Sequence, residues 1–310
     1  MARSNVFPSS QMFPAVGSVL ELVKPVTWFA PMWAFLCGAV SSRDALSFPG
    51  GILAHGWLVL AGLVLAGPLV CGTSQAVNDW FDRHVDAINE PGRPIPSGRI
   101  PGRWGFAIAI AGTVLSLLYS WMLGPAVALA ALAGLVLAWA YSAPPARLKK
   151  SGWWGPAAVA LSYEGLSWFT GAAVVAGGCP DGRSILLAVL YSVGAHGIMT
   201  LNDFKAIEGD RLMGLRSLPV LLGPDRAARF ACCVMTVPQI LVAGVLVLSD
   251  RPWFALSIGG LIIVQCGLMA RLMKDPRRFA PWYNATGTTL YVLGMLVSAV
   301  AVRSLPGGMS

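Results

Sequence analysis

The sequence predicts an all-α, polytopic membrane protein, a helical bundle with about nine transmembrane helices, and three observations lead to that fold class. Of the 310 residues, 56% are hydrophobic and only 12% are charged, a balance far from that of soluble globular domains. Apolar stretches close to the ~20 residues that cross a bilayer recur along the whole chain. The basic residues are concentrated in alternate loops, as expected when successive helices cross the membrane in opposite directions.

Nine apolar stretches are long enough to be predicted as spans. In chain order they lie at 26–42, 52–77, 104–122, 125–142, 154–177, 184–203, 228–248, 253–272 and 284–303. They leave residues 1–25 as a cytoplasmic N-terminal segment, residues 26–303 as a single transmembrane domain and residues 304–310 as a C-terminal tail. Little of the chain remains for a soluble domain.

The 22 Lys and Arg residues predict the orientation of these helices. If all nine stretches span, eighteen of the basic residues share the side of the N-terminus, and four lie on the other side. The positive-inside tendency then places the N-terminus and the loops after the second, fourth, sixth and eighth helices in the cytoplasm. Since topology and anionic lipid headgroups account for the net charge of +8, we expect a lipid bilayer around the protein and no nucleic-acid partner.

An acidic pattern occurs twice, at the cytoplasmic ends of the second and sixth predicted helices. Asn-Asp-x₆-Asp runs from 78 to 86 and again from 202 to 210, so that matching positions are 124 residues apart. The first copy is motif 1 and the second is motif 2. The repetition indicates two related halves, each of which contributes one motif to a shared cavity.

The carboxylates of each motif are predicted to project together. On a helix, Asp79, Asp82 and Asp86 share one face, and Asp203 and Asp210 share another. Crowded carboxylates at a membrane boundary repel one another unless a cation neutralises them, and Mg²⁺ prefers oxygen ligands with water and substrate phosphate completing its shell. We therefore predict two Mg²⁺ ions bridged by a diphosphate. Simple ion pairing with arginines at the helix ends is the alternative, which the identical spacing of two copies disfavours.

Basic and polar residues beside the motifs are candidates for holding that diphosphate. Arg93 lies in a proline-rich loop after motif 1, Lys149 lies in the loop after the fourth helix, and Lys205 lies inside motif 2. Charge-assisted contacts from such groups stabilise a diphosphate leaving group. The further predicted substrate contacts are Asn78, Asn202, Tyr141, Arg147 and Arg211.

Two polar residues lie inside predicted helices and have two interpretations each. Glu164 lies about ten residues into the fifth helix, where an ionisable group usually faces a cavity or a partner. His196 precedes Asp203 by two turns on the same face. Either side chain is a candidate contact for the acceptor substrate, and helix packing is the alternative for both.

Four blocks together resemble the UbiA superfamily of intramembrane prenyltransferases, and within it the chlorophyll and bacteriochlorophyll synthase branch. They run from Lys24 to Phe35, from Asn78 to Gly98, from Tyr141 to Pro145 and from Asn202 to Gly223. The resemblance implies nine helices around a central cavity, with Mg²⁺ at the two motifs. It implies metal and diphosphate roles for Asn78 and the five aspartates, and diphosphate contacts for Arg93, Tyr141 and Lys149. In motif 2, Ala206 replaces an acid that many superfamily members have.

The reaction implied by the resemblance is esterification of the propionate of bacteriochlorophyllide a with geranylgeranyl or phytyl diphosphate. The Tyr-Glu-Gly segment at 163–165 and the lack of a plant-type transit peptide favour the bacterial enzyme, in the cytoplasmic membrane, over its chlorophyllide counterpart. Pigment-assembly proteins are candidate partners. A quinone precursor or haem as acceptor is the alternative among enzymes. A cation-coupled transporter is the alternative outside them, although its acids are expected near the bilayer midplane.

Overall fold

The computed structural model describes residues 13–42 and 56–303, and its regular elements are helices. The helices are α1 Val16–Leu22, α2 Phe29–Ser41, α3 Gly56–Asn89, α4 Trp104–Leu123, α5 Pro125–Ser142, α6 at 154–176, α7 Gly182–Asn202, α8 Ile207–Leu212, α9 Leu218–Leu222, α10 Pro224–Leu248, α11 Pro252–Leu272 and α12 Pro276–Arg303. Short 3₁₀ turns precede α2, follow α7 and lie between α5 and α6. The predicted all-α class is confirmed.

The chain is a multi-pass membrane protein. Within the described ranges, seven helices are long and apolar enough to cross a membrane. α1 and the helical segment Pro25–Ser41 meet at a bend of 43°, and together they form an eighth span if the bent pair is counted as one. The stretch predicted at 154–177 forms α6, but it carries Ser162, Tyr163 and Glu164 and is not among those helices. The predicted number of nine is therefore not confirmed. Residues 52–55 and the predicted tail at 304–310 lie outside the described residues.

Two helices widen into π-helical turns at the centre of the bundle. One lies at Leu65–Cys71 in α3, around Pro68, and the other at Leu161–Leu166 in α6. Proline has no N–H to donate to the preceding turn, which explains the irregularity in α3. Such π turns are frequent at functional sites, and both of these contribute side chains to the same interhelical cavity.

α2 and α6 cross at very close range because each has a glycine at the crossing point. A Cβ on Gly38 would overlap the carbonyl oxygen of Trp168, and a Cβ on Gly171 would overlap that of Phe35. The indole of Trp168 also donates hydrogen bonds to Ser41 (3.1 Å) and Ser184 (3.2 Å). Small residues that allow close backbone approach and buried polar contacts are the usual means by which helices associate in lipid.

The glycine crossing leads to a stability prediction. Gly171→Ala is expected to lower stability by about 1–3 kcal/mol, because the new methyl group meets backbone and not a movable side chain. Thermal unfolding of the detergent-purified protein, followed by size-exclusion chromatography, measures the effect. Gly259→Ala is the matched control, since a Cβ there meets open space. Equal unfolding temperatures for the two variants would contradict the proposed crossing.

The loops that follow α3, α5 and α8 lie on one face of the bundle, called here the motif face. Backbone hydrogen bonds run from Gly152 to Arg216 (2.7 Å) and from Arg216 to Lys150 (3.2 Å). The side-chain amide of Asn89, at the end of α3, contacts the sulfur of Met213, just after α8, at 3.9 Å. Asn89 and Met213 are themselves 124 residues apart. Contact between equivalent positions, each three residues beyond its motif, is expected when two halves are related by a local twofold axis.

Candidate active site at the two acidic motifs

Asp79, in the last turns of α3, is a nearly fully buried carboxylate with basic partners. Its relative exposure is 1%. One oxygen, Oδ1, accepts a hydrogen bond from Lys24 Nζ at 2.6 Å and lies 3.4 Å from Arg93 Nη1. The other, Oδ2, is buried and has no hydrogen-bond partner among the described residues. A buried carboxylate oxygen that lacks a partner is energetically costly, so Asp79 retains an unused ligand atom.

Arg93 joins two carboxylates of motif 1 and a third from its own loop. Its Nη1 donates to Asp86 at 2.9 Å as well as to Asp79, and its Nη2 donates to Glu90 at 2.8 Å. The hydrogen bond from Arg93 holds the pKa of the Glu90 carboxyl below its usual value. The guanidinium is only about a quarter exposed, and its fork of five donors suits it to bind an incoming phosphate as well as carboxylates.

The loop between α5 and α6 supplies the partners of Asp82. Lys149 Nζ donates to Asp82 Oδ1 at 2.5 Å, and Arg147 Nη2 lies 3.6 Å from the same oxygen. Burial lowers the pKa of the Lys149 ammonium, and its hydrogen bond to Asp82 opposes that shift. Arg147 has left-handed backbone geometry, with φ at 40°, and so does Lys24, with φ at 46°. Such strained residues are often found at functional sites.

Motif 2 has a different electrostatic environment. Asp203 begins the 3₁₀ turn after α7, and Asp210 lies in α8 with 8% relative exposure. No ion pair or side-chain hydrogen bond to either carboxylate occurs among the described residues. Glu208 faces outward instead, where Arg277 Nη1 contacts it at 3.2 Å. Motif 2 therefore presents two neighbouring carboxylates without direct cationic partners.

Tyr141, near the end of α5, lies between the two motifs. Its phenol is within electrostatic range of Asp82 in motif 1 and of Asp203 and Asp210 in motif 2. Asn78, next to Asp79, donates a hydrogen bond to Ser142 at 3.3 Å. The two acidic motifs thus face a common space that α5 borders.

An interhelical cavity of about 490 Å³ begins at this space and extends between α3, α5 and α6. Its polar end is lined by Asn78, Tyr141 and Asn202. Its far end is apolar and includes Leu65 and Ala130. At 1.5 Å of rise per residue, the distance from Asn78 to Leu65 along α3 is roughly 20 Å. The volume is within the range of small-molecule sites, and the shape suits an extended apolar chain with a polar head at the motifs.

The carboxylates at the motifs are suitable ligands for Mg²⁺. Among the described residues, no three side chains of the His, Cys, Asp and Glu types form a ready-made metal site. Mg²⁺ usually takes only one or two protein carboxylates and completes its octahedron with water and substrate phosphate. The unpartnered Oδ2 of Asp79 and the unpaired carboxylates of motif 2 fit that requirement.

Comparison with known proteins agrees with the geometry. The family model described as the UbiA prenyltransferase family matches residues 32–293. The chain belongs to the UbiA prenyltransferase family. It is 59% identical to the bacteriochlorophyll synthase 33 kDa chain of Cereibacter sphaeroides over 94% of this chain and 95% of that protein. It is 39% identical to the chloroplastic chlorophyll synthase of Oryza sativa subsp. japonica over 91% of this chain and 76% of that protein.

A solved structure has the same fold. A UbiA homolog from Archaeoglobus fulgidus, bound to GPP and Mg²⁺, aligns with a TM-score of 0.69 over 92% of this chain and 99% of that one, at 20% identity. At that level of identity the likeness establishes the UbiA fold. The helices that carry the two motifs thus belong to the same fold as that solved protein.

Most of the residues predicted from the sequence lie together in this UbiA-family site, but two basic residues are peripheral. Lys205 is exposed, although it is within electrostatic range of Asp203. Arg211 is also exposed, and its ion pair, at 3.9 Å, is with Glu208. Their predicted contact with diphosphate therefore requires movement of their side chains, and the half-buried Arg93 and Lys149 are better placed.

The two polar residues inside helices do not face the cavity. His196 Nε2 lies 3.1 Å from the backbone oxygen of Trp153, and its Nδ1 lies 3.4 Å from Thr200 Oγ1. With both ring nitrogens engaged, His196 fits the helix-packing alternative. Glu164 does not line the cavity either; its carboxyl is within electrostatic range of Cys37 in α2. The acceptor role predicted for Glu164 stays a prediction.

Lys24 is a site residue that the sequence reasoning missed. It precedes the first predicted helix and was counted only as a topology-determining charge, yet it forms a 2.6 Å ion pair with Asp79. The signal available in the sequence was its position at the start of a block, Lys24 to Phe35, that resembles the family. Gln75 was also missed; it lines the cavity one turn before Asp79 and donates to Tyr163 at 3.0 Å.

Proposed function

We propose that this chain is a bacteriochlorophyll synthase: a Mg²⁺-dependent prenyltransferase that esterifies the propionate of bacteriochlorophyllide a with geranylgeranyl or phytyl diphosphate. The observation that carries the proposal is the meeting of two acidic motifs and half-buried cations at the polar end of an apolar cavity. The identity of 59% to a bacteriochlorophyll synthase, against 39% to a chlorophyll synthase, supports the bacterial pigment as acceptor.

The donor binds with its prenyl chain in the cavity and its diphosphate at the motifs. Lys24, Arg93 and Lys149 are already held at that end by ion pairs with motif 1. They exchange part of these contacts for diphosphate oxygens when the donor arrives. Preorganised cations of this kind stabilise the charge that develops on a departing diphosphate.

Asp79, Asp82 and Asp86 of motif 1 and Asp203 and Asp210 of motif 2 would hold two Mg²⁺ ions, whose positive charge would offset the negative charge of the diphosphate. The second motif offers its carboxylates without the loss of an existing ion pair. The first motif offers Asp79 Oδ2, which has no partner. We therefore expect both motifs to contribute ligands, although Ala206 leaves motif 2 with one acid fewer than many relatives have.

The transfer step needs no general base from the protein. The propionate is ionised at neutral pH, so its oxygen attacks C1 of the prenyl group directly. The new C–O bond forms at C1 while the bond from C1 to the diphosphate oxygen breaks, and the diphosphate leaves with the electron pair. The tasks left to the protein are to orient the two substrates, to stabilise the leaving group and to exclude water from the allylic cation.

The motif face is proposed to lie on the cytoplasmic side of a bacterial inner membrane. The loops that follow α3 and α5 carry six basic residues, Arg93, Arg99, Arg103, Arg147, Lys149 and Lys150, and the positive-inside tendency places such loops in the cytoplasm. A cation-coupled transporter is disfavoured, because the carboxylates lie at helix ends among half-buried cations and not at mid-helix.

A parallel assay tests the proposed function. Purified protein with Mg²⁺ and radiolabelled geranylgeranyl diphosphate is offered bacteriochlorophyllide a, chlorophyllide a or 4-hydroxybenzoate. We expect esterified bacteriochlorophyllide, with at least about tenfold lower kcat/KM for the other acceptors. Prenylation of 4-hydroxybenzoate alone would assign the chain to the quinone-precursor enzymes. Failure of all three acceptors, together with Mg²⁺-driven uptake into vesicles, would favour the transporter.

A further inference from the structure

A second cavity, separate from the one assigned to the prenyl chain, opens on the motif face between the loop after α5 and the segment before α9. Its volume is about 470 Å³. The side chains that define it chemically are Arg147, Lys150, Trp153, Trp154, Arg216 and Leu221. We call it the basic-aromatic cavity. Nothing in the proposed binding of the prenyl diphosphate uses its aromatic wall.

The walls of this cavity are held together by the backbone. Arg216 N donates to the carbonyl of Lys150, and Gly152 N donates to the carbonyl of Arg216. A Cβ on Gly152 would lie 2.5 Å from that carbonyl oxygen, so glycine permits the close approach. Trp153 is further supported by Phe230, with ring centroids 5.2 Å apart. The cavity is therefore formed by two tethered loops.

The residues that line this cavity are suited to bind a ligand that is flat, partly apolar and negatively charged. Of the described residues, three cations and no carboxylate line the cavity, which favours an anionic group on the ligand. Trp154 is 67% exposed and Trp153 is 45% exposed. Indole rings offer large flat surfaces for stacking. Exposed tryptophans at a membrane interface normally contact lipid headgroups, but these two line a concave site together with three basic residues.

Arg147 connects this cavity to motif 1. It lines the cavity, and its Nη2 lies 3.6 Å from Asp82 Oδ1. Its Nε is buried and has no hydrogen-bond partner in the part of the chain that the structure describes. A guanidinium with a free donor is suited to bind a carboxylate. A carboxylate held by Arg147 would therefore lie beside the motif at which the donor's diphosphate binds.

We propose that the basic-aromatic cavity is the acceptor site, in which Trp154 stacks on a planar macrocycle while Arg147 binds its propionate. The inference rests on the proposed function and specifies where the second substrate binds. It also explains how two bulky substrates are accommodated. The prenyl chain occupies the cavity between α3, α5 and α6, the macrocycle remains at the membrane interface, and the reacting atoms meet between them at motif 1.

The test is a binding titration of the full-length protein in lipid nanodiscs, with bacteriochlorophyllide a and its propionate methyl ester as probes and without any prenyl donor. Trp154→Ala is expected to weaken binding of both probes at least about tenfold. Arg147→Gln is expected to weaken binding of the free acid at least about tenfold and to leave binding of the methyl ester unchanged, because the ester carries no charge for the guanidinium.

Two variants on other surfaces serve as matched controls. Trp253 is 77% exposed at the start of α11 and Arg278 is exposed at the start of α12, and neither lines the cavity. Trp253→Ala and Arg278→Gln are expected to bind both probes as the wild type does. In turnover assays, Trp154→Ala is expected to raise KM for the acceptor without changing KM for the donor.

The outcomes separate the inference from the proposed function. If the wild type binds and esterifies bacteriochlorophyllide while Trp154→Ala and Arg147→Gln bind it equally well, the acceptor site lies elsewhere and the function stands. If Arg147→Gln weakens acid and ester alike, the carboxylate contact is wrong. If the wild type neither binds nor esterifies the chlorin, the proposed function fails and the acceptor assignment fails with it.

Discussion

Asp203→Asn is expected to lower kcat for prenyl transfer by about 10³-fold while leaving thermal stability unchanged or slightly higher. Removal of one preorganised electrostatic group from an active site typically costs 10²–10³ in kcat, and loss of a metal ligand adds to this. Asp203 has no ion pair or side-chain hydrogen bond in the part of the chain that the structure describes. Its replacement therefore breaks no structural contact, and it removes repulsion from the neighbouring Asp210.

Asp79→Asn provides an instructive contrast. It is expected to remove activity to a similar extent but also to lower the unfolding temperature, because Lys24 and Arg93 lose a buried partner. Single-turnover kinetics and thermal unfolding, measured on both variants, separate the two effects. Asp225→Asn, an exposed acid in the first turn of α10, is the control and is expected to behave as the wild type. Near-normal turnover by Asp203→Asn would eliminate motif 2 as a metal site.

Removal of divalent cations is expected to lower esterification by at least about 10³-fold, with recovery when Mg²⁺ is restored. A bound cation supplies several kcal/mol of charge stabilisation to a departing diphosphate. Because no three acidic, histidine or cysteine side chains among the described residues form a complete site, we expect weak Mg²⁺ binding without donor. Bound diphosphate should then raise the affinity for Mg²⁺ by about 5–150-fold. Bound Mg²⁺ should raise the affinity for diphosphate by the same factor, since such coupling is reciprocal.

Isothermal titration with an unreactive diphosphate analogue measures this coupling. Mg²⁺ is titrated with and without the analogue, and the analogue is titrated with and without Mg²⁺. Asp203→Asn should reduce the coupling, whereas the Asp225→Asn control should retain it. Equal Mg²⁺ affinity in the presence and absence of the analogue, or full turnover in excess EDTA, would show that the diphosphate does not complete the metal sites.

The sequence predicted a common helix face for the carboxylates of motif 1, whereas motif 2 does not lie on one continuous helix, because a 3₁₀ turn at Asp203–Ala206 separates α7 from α8. Helical periodicity places Asp79, Asp82 and Asp86 on one face of α3, and the contacts of Arg93 and Lys149 with these residues agree with that placement. The separation of 124 residues indicated two related halves, and Asn89 and Met213 touch at that same separation. The common helix face depends on local helix geometry, and the two halves are indicated by a repeated pattern. Both can be predicted from a single sequence.

The contacts between the basic residues and these carboxylates could not be predicted from the sequence in the same way. Lys24 lies 55 residues from Asp79, and Lys149 lies 67 residues from Asp82. Which cation meets which carboxylate depends on how the loops fold across the ends of several helices. Periodicity also placed His196 on the face of Asp203 without revealing that Trp153 and Thr200 occupy its two nitrogens. Arg211 was ranked with the diphosphate contacts, yet it pairs with Glu208.

The sequence by itself determined that this protein is a bundle of membrane helices with two acidic motifs, because hydropathy and helical spacing are local properties that the bilayer enforces. The tertiary structure decided the rest. It paired the cations with motif 1, left Asp203 and Asp210 without an ion pair among the described residues, and joined Lys150 to Arg216 so that a basic-aromatic cavity forms beside Asp82. These features arise from contacts between segments far apart in the chain, whose mutual positions are set by helix packing and backbone hydrogen bonds.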